Sequence, residues 1–120
     1  MDIEYDQDND LLIHHLGNET TDLKTHIEKA VSFIELMEKF QPLRVLIYGH
    51  LENVKFDMRL NGWIESVLLP QAKKTRLRKI AFHIDNLQEL SVVQGVSENS
   101  IISVRIFNDK DQAYNWLMLP

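Results

Sequence analysis

Three short strand-like runs, each followed by a helical pattern, constrain this chain more than any other feature. They are Arg44-Val45-Leu46-Ile47-Tyr48-Gly49, Lys79-Ile80-Ala81-Phe82-His83-Ile84 and Ser103-Val104-Arg105-Ile106-Phe107. The first is a nearly continuous apolar run, the mark of a strand covered on both faces. The last alternates apolar and polar residues. After the first run, Asp57 can cap a helix whose inward positions are Leu60, Trp63/Ile64 and Val67/Leu68. Gly62 weakens that helix by up to about 1 kcal/mol relative to Ala, and Pro70 marks a kink or an end. After the second run, Asp85 or Asn86 caps a helix carrying Leu87, Leu90, Val93/Gln94 and Val96; after the third, Asn108 or Asp109 caps one bearing Ala113, Trp116 and Leu117. Strands joined through helices pair in parallel, because the crossover returns the chain to the same end of the sheet.

Upstream, Ile3-Glu4-Tyr5 and Leu11-Leu12-Ile13-His14-His15-Leu16 are extended candidates separated by Asp6-Gln7-Asp8-Asn9-Asp10. Asp and Asn side chains bond nearby backbone and tolerate left-handed conformations, so this segment reads as a β-hairpin. Thr20 or Thr21 then caps a helix with Leu23, Ile27, Ala30/Val31, Ile34, Met37 and Phe40 on one face, closed by Pro42. The predicted order is ββαβαβαβα: an α/β fold, a single domain over residues 1–120, with a mixed β-sheet. No internal repeat, low-complexity tract or linker interrupts it.

Composition supports this and excludes several function classes. A chain of 120 residues has room for one core. The absence of cysteine removes disulfides, thiolate catalysis and zinc–sulfur sites, and fits a cytoplasmic protein. The acidic start, Met1-Asp2-Ile3-Glu4, has no secretory pattern, and no apolar stretch approaches the roughly 20 residues that span a bilayer. A formal net charge of −5 argues against general nucleic-acid binding.

No GxSxG, GxxxxGK[ST] or GxGxxG string occurs, and four glycines build no phosphate cradle. No cofactor is expected. His14 and His15 are adjacent on a strand and point to opposite faces, one toward the core and one toward solvent, so they cannot share a metal. His26, His50 and His83 are scattered, and no metal site is expected. Asp6, Asp8 and Asp10 read as a solvated turn, because the glycine and distal glutamate of a calcium loop are missing. His50, at the end of a strand, has the best claim to a binding role, since ligands of open α/β sheets gather outside the carboxyl ends of strands. Asp57, Arg59 and Asn61 can sit around the same edge, though Asp57 is also explained by capping alone. Lys73, Lys74, Arg76 and Arg78, continuing into Lys79, form the strongest charge feature. Part of it suits the negative end of the preceding helix, and the remainder can meet an anionic partner. Trp63 and Trp116 lie on apolar helical faces and read as core.

Two strings carry a family resemblance: Arg44-Val45-Leu46-Ile47 leading into Leu51-Glu52-Asn53-Val54-Lys55-Phe56-Asp57, and the ending Val104 to Leu117 with its acidic turn and short Ala/Trp/Leu helix. They resemble the STAS-like superfamily, in its SpoIIAA-like branch of small stand-alone bacterial proteins, the fold of anti-sigma-factor antagonists. In that family the second helix begins Asp-Ser-Ser-Gly and a partner kinase phosphorylates the serine. Asp57 matches the aspartate, but Met58 and Arg59 stand where the serines would be, so the resemblance implies a phospho-switch that is absent or relocated. It implies a non-enzymatic interaction or regulatory module that binds a protein partner or a second copy of itself. A pocket lined by Phe56, Leu60 and Ile64 would instead make it a small apolar-ligand or lipid binder. An enzyme ranks third, because His50 and Asp57 have no nucleophile or cofactor between them.

Overall fold

The order of the strands in space repeats their order in the chain. The computed structural model describes residues 3–15, 23–50, 66, 69–85 and 102–119. Among these, strands β1 (Ile3–Asp6), β2 (Leu11–His15), β3 (Arg44–His50), β4 (Lys79–Asp85) and β5 (Ser103–Phe107) form one sheet in the order β1-β2-β3-β4-β5. β1 runs antiparallel to β2, and the other pairs are parallel. The sheet is therefore mixed, and the three runs from the middle and end of the chain lie side by side. Helices are α1 (Leu23–Phe40), α2 (Leu69–Ala72) and α3 (Lys110–Met118). No helix among the described residues is long and apolar enough to cross a membrane.

The hairpin between β1 and β2 closes on its own side chains. Asp6 Oδ1 accepts the amides of Asp8 and Asn9, and Asp10 takes a positive φ of 50°. Asp tolerates that left-handed conformation better than most residues. α1 ends at Phe40 because Gln41 also turns left-handed, with φ 50°, and donates its amide to Met37 O at 3.0 Å. This is the single-bond αL cap, with Pro42 following where the helix cannot continue. Glycine usually fills the αL position. Gln41 instead offsets the strain with its side chain, which donates to Glu38 O and accepts from the Arg76 amide.

Strand alternation divides the core in two. On one face Leu12, Val45, Ile47, Ile80, Phe82, Ile84 and Val104 pack with Phe33 and Met37 of α1 and Ala72 of α2. On the other, Leu11, Leu46 and Ala81 pack with Ala113 and Leu117 of α3. Among the described residues, α1, which connects the parallel strands β2 and β3, covers the first face, and α3, which follows β5, covers the second.

Several expectations need adjustment. α1 turns Phe33 inward with Met37, while Val31 is 50% exposed. The two residues are about 200° apart around the helix and cannot share its buried face. Pro70 is the second residue of the helical segment Leu69–Ala72, and the helix it is expected to kink or end lies outside the described residues. Trp116 is half-buried beside the smaller cluster rather than a full core residue. The adjacent histidines divide as alternation requires: His14 is buried against Phe33 and His15 is exposed. Asp109 caps α3, its carboxylate accepting the Gln112 amide. The helices expected after Asp57 and after Asp85/Asn86, Trp63, and the pocket of Phe56, Leu60 and Ile64 lie outside the described residues, apart from the Leu69–Ala72 turn.

Candidate binding face at the carboxyl ends of the strands

The four parallel strands start in register, with Leu11, Arg44, Lys79 and Ser103 paired in a row. Register is preserved along a parallel ladder, so the residues at each later position also form rows across the sheet. The fifth row is His15, Tyr48, His83 and Phe107: four ring side chains on four successive strands, at the carboxyl end of the sheet and on the α3 side.

Three of the rings, His15, Tyr48 and His83, meet in turn along the row. The His15 and Tyr48 centroids are 5.8 Å apart, edge to face, and those of Tyr48 and His83 are 4.7 Å apart with the planes tilted 45°. Phe107, paired in register with His83, meets Trp116 of α3 at 5.7 Å. At the opposite edge His15 Nε2 meets Glu4 Oε1 at 3.4 Å, tying the row to β1. Both partners of that contact face water, which competes for each of them and leaves the pair little net strength. Exposure falls inward. His15 is exposed, Tyr48 and Phe107 are half-buried, and His83 is only 7% exposed. The row thus leads from the surface into the protein, offering π faces together with imidazole and phenol groups that can donate or accept hydrogen bonds.

Of the residues expected here, His50 is the last residue of β3 and pairs in register with Asp85, the last of β4, two positions beyond Tyr48 and His83. Asp57, Arg59 and Asn61 lie outside the described residues. The ring row was missed because its members look unrelated in the chain. One signal was available: writing the runs LLIHH, RVLIY, KIAFH and SVRIF one beneath another puts a ring residue at the fifth place of each.

The first row explains some of the basic run. Arg44 Nε donates to Leu117 O and Lys79 Nζ donates to Trp116 O and Leu119 O, so two cations cap the carbonyl end of α3. That is the negative pole of a helix, where cations stabilise. Sequence reasoning assigned this role to the helix before the basic run; the structure gives Lys79 to the last helix. Burial, and then the nearby guanidinium groups of Arg44 and Arg105, hold the Lys79 ammonium below its usual pKa. Lys79 and Arg105 both lie against the Trp116 ring, at 5.1 and 5.5 Å from its centroid. Of the proposed anion patch, Arg76 reaches Asp10 at 3.4 Å and Arg78 donates to the carbonyls of Arg76 and Leu77. Lys73 and Lys74 are exposed.

Asp10 also accepts the Tyr5 hydroxyl at 2.7 Å. This hydrogen bond, followed by burial and the charge of Asp10, raises the Tyr5 pKa above 10. A pKa higher in the folded state means stability that is fully present below the ordinary tyrosine value and is lost as pH rises through the folded one. Urea midpoints measured from about pH 9 to about pH 11 are expected to fall less steeply for Tyr5→Phe than for the parent chain. Parallel curves would show that the Asp10 contact does not persist in solution.

No family model matches the chain, and neither a curated protein nor a solved structure does.

Proposed function

We propose that this chain is a non-enzymatic, STAS-like interaction or regulatory module acting in a bacterial cytoplasm, and that it binds a protein partner at the carboxyl ends of its parallel strands. The observation that carries this reading is the His15–Tyr48–His83–Phe107 row with Trp116 beside it. Rings with few rotamers and a polar handle lose little entropy when a partner orders them, and such side chains dominate binding hot spots. The row also lies where open α/β sheets receive ligands. The STAS-like assignment rests on the succession of strands and helices together with the quoted strings. With Met58 and Arg59 in place of the serines, regulation does not run through phosphorylation at that position.

The reading is tested by placing a photo-crosslinking residue at His15, and separately at Asp8 in the hairpin turn at the other end of the sheet. Irradiation in cells is expected to join position 15, but not position 8, to one defined protein, and Tyr48→Ala is expected to abolish the adduct. Native mass spectrometry showing a co-purified small molecule, lost in Tyr48→Ala and with no adduct at position 15, would overturn it in favour of a small-ligand binder.

A further inference from the structure

β1 closes one end of the sheet, and among the described residues no strand or backbone hydrogen bond meets its outer side. An edge strand turns alternate N–H and C=O groups outward, where another extended segment can join the ladder. The two faces of this edge differ. Ile3 and Tyr5 pack against the larger cluster on the α1 side, and the Tyr5 ring stacks on Phe40 with centroids 4.6 Å apart and planes 10° from parallel. Phe40 is still 36% exposed, so the stack offers an apolar step beside the strand. Glu4 is exposed on the other face, where it meets His15, and alternation puts Asp6 on that face as well.

The chain's net charge is concentrated on this hairpin. Asp2, Glu4, Asp6, Asp8 and Asp10 fall within the first fifteen residues, which hold no lysine or arginine. The chain has 18 acidic and 13 basic residues, so setting these five aside leaves the two signs equal, and the segment accounts for the whole formal charge of −5. Two cations approach from elsewhere: Arg76 pairs with Asp10 at 3.4 Å, and Lys39 lies over the Phe40 ring at 5.5 Å. Among the described residues no lysine or arginine pairs with Glu4, Asp6 or Asp8.

We infer that the outer edge of β1 receives, as an added strand, an extended segment of a partner protein that alternates apolar and basic side chains. The apolar side chains then fall beside Ile3, Tyr5 and Phe40, and lysine or arginine falls beside Glu4 and Asp6. A second copy fits worse. Two β1 edges that meet across a two-fold axis run antiparallel, and the registers that keep Ile3 and Tyr5 on one face set Glu4 opposite Glu4 or opposite Asp6. Like charges directly opposite repel. Nucleic acid and anionic membranes carry the same sign as the hairpin and are repelled too. The inference does not rest on the ring row, which borders this edge only at His15.

A labelled peptide of about eight residues alternating valine and lysine tests it, read by fluorescence anisotropy at low ionic strength. Saturable binding is expected, with a dissociation constant below about 1 mM that rises as salt screens the charges. A peptide of the same composition, with its valines in one block and its lysines in another, is expected to bind at least about fivefold more weakly, since no register sorts its side chains by face. Glu4→Lys and Phe40→Ala are each expected to weaken the alternating peptide at least about fivefold. Both positions are exposed, and circular dichroism checks that each variant folds. Amide exchange is expected to slow in residues 3–6 when the peptide is bound. No saturable binding, equal affinity for the block peptide, variants that bind as the parent does, or slowed exchange confined to other strands would each overturn the inference. So would a parent dimer in which residues 3–6 are already protected, or binding of duplex DNA or phosphatidylserine vesicles through the same residues.

Discussion

Phe33→Ala is expected to lower the unfolding free energy by about 3–5 kcal/mol, the range for emptying a large buried aromatic site. Val31→Ala, two residues away, is expected to change it by less than about 0.5 kcal/mol. Phe33 is fully buried, stacked on His14 with centroids 4.9 Å apart and planes 22° from parallel. Removing the ring leaves a void between α1 and β2 and strips His14 of its cover, while Val31 has only half of its surface to lose. Denaturant titration of the two variants side by side measures the rotation of α1 about its own axis. Equal losses would mean that the helix presents a different face to the sheet.

That pair of substitutions also marks where the sequence stops being informative. Ala30, Val31, Phe33 and Ile34 are all apolar and span more than one face, so periodicity establishes that a helix exists without fixing which way it is turned. The choice is made by fit: the Phe33 ring has the size and flatness to lie on an imidazole, and β-branched Val31 does not. The strands were easier. Arg44–Gly49, Lys79–Ile84 and Ser103–Phe107 are short, apolar or alternating, and separated by helix-length segments, which leaves parallel pairing as the economical arrangement. Their register was not legible, because it depends on the path of each crossover. A row such as His15, Tyr48, His83 and Phe107 exists only once register is known. Of the expected site, His50 is placed at the predicted strand end, whereas Asp57, Arg59 and Asn61 fall outside the described residues.

The second large effect concerns the attachment of α3. Lys79→Met is expected to cost about 1–3 kcal/mol, because it withdraws the donor from the carbonyls of Trp116 and Leu119 and removes the ammonium from the Trp116 ring. Arg44→Met acts on the same end, freeing Leu117 O and, at the hairpin, Asn9 O, both bonded at 2.8 Å. Hydrogen exchange is expected to accelerate in residues 110–118 before it does in β3 and β4, since a nine-residue helix has little intrinsic stability without its docking contacts. The pH dependence has a definite sign. A lysine whose pKa is lowered in the folded state carries a charging penalty that offsets part of what its hydrogen bonds contribute, and this offset is relieved as pH rises from the folded value toward 10.5. Lys79→Met lacks that relief, opposite in sign to the alkaline loss from Tyr5, and comparing the two variants separates the contributions. Uniform exchange across α3 and the strands would show that the cations do not anchor the helix.

A sheet built in the order β1-β2-β3-β4-β5 never has to open between finished neighbours to admit a later strand. Each segment leaving the ribosome finds its docking edge already made by the segment before it, so growth can proceed outward from the amino-terminal hairpin during synthesis. Contacts between neighbours in the chain close smaller loops and form sooner than distant ones. α3, the helix that covers the second face among the described residues, emerges after all five strands. Until it docks, the growing sheet leaves Leu11, Leu46 and Ala81 bare, and that interval is when a nascent chain of this design is most exposed to aggregation.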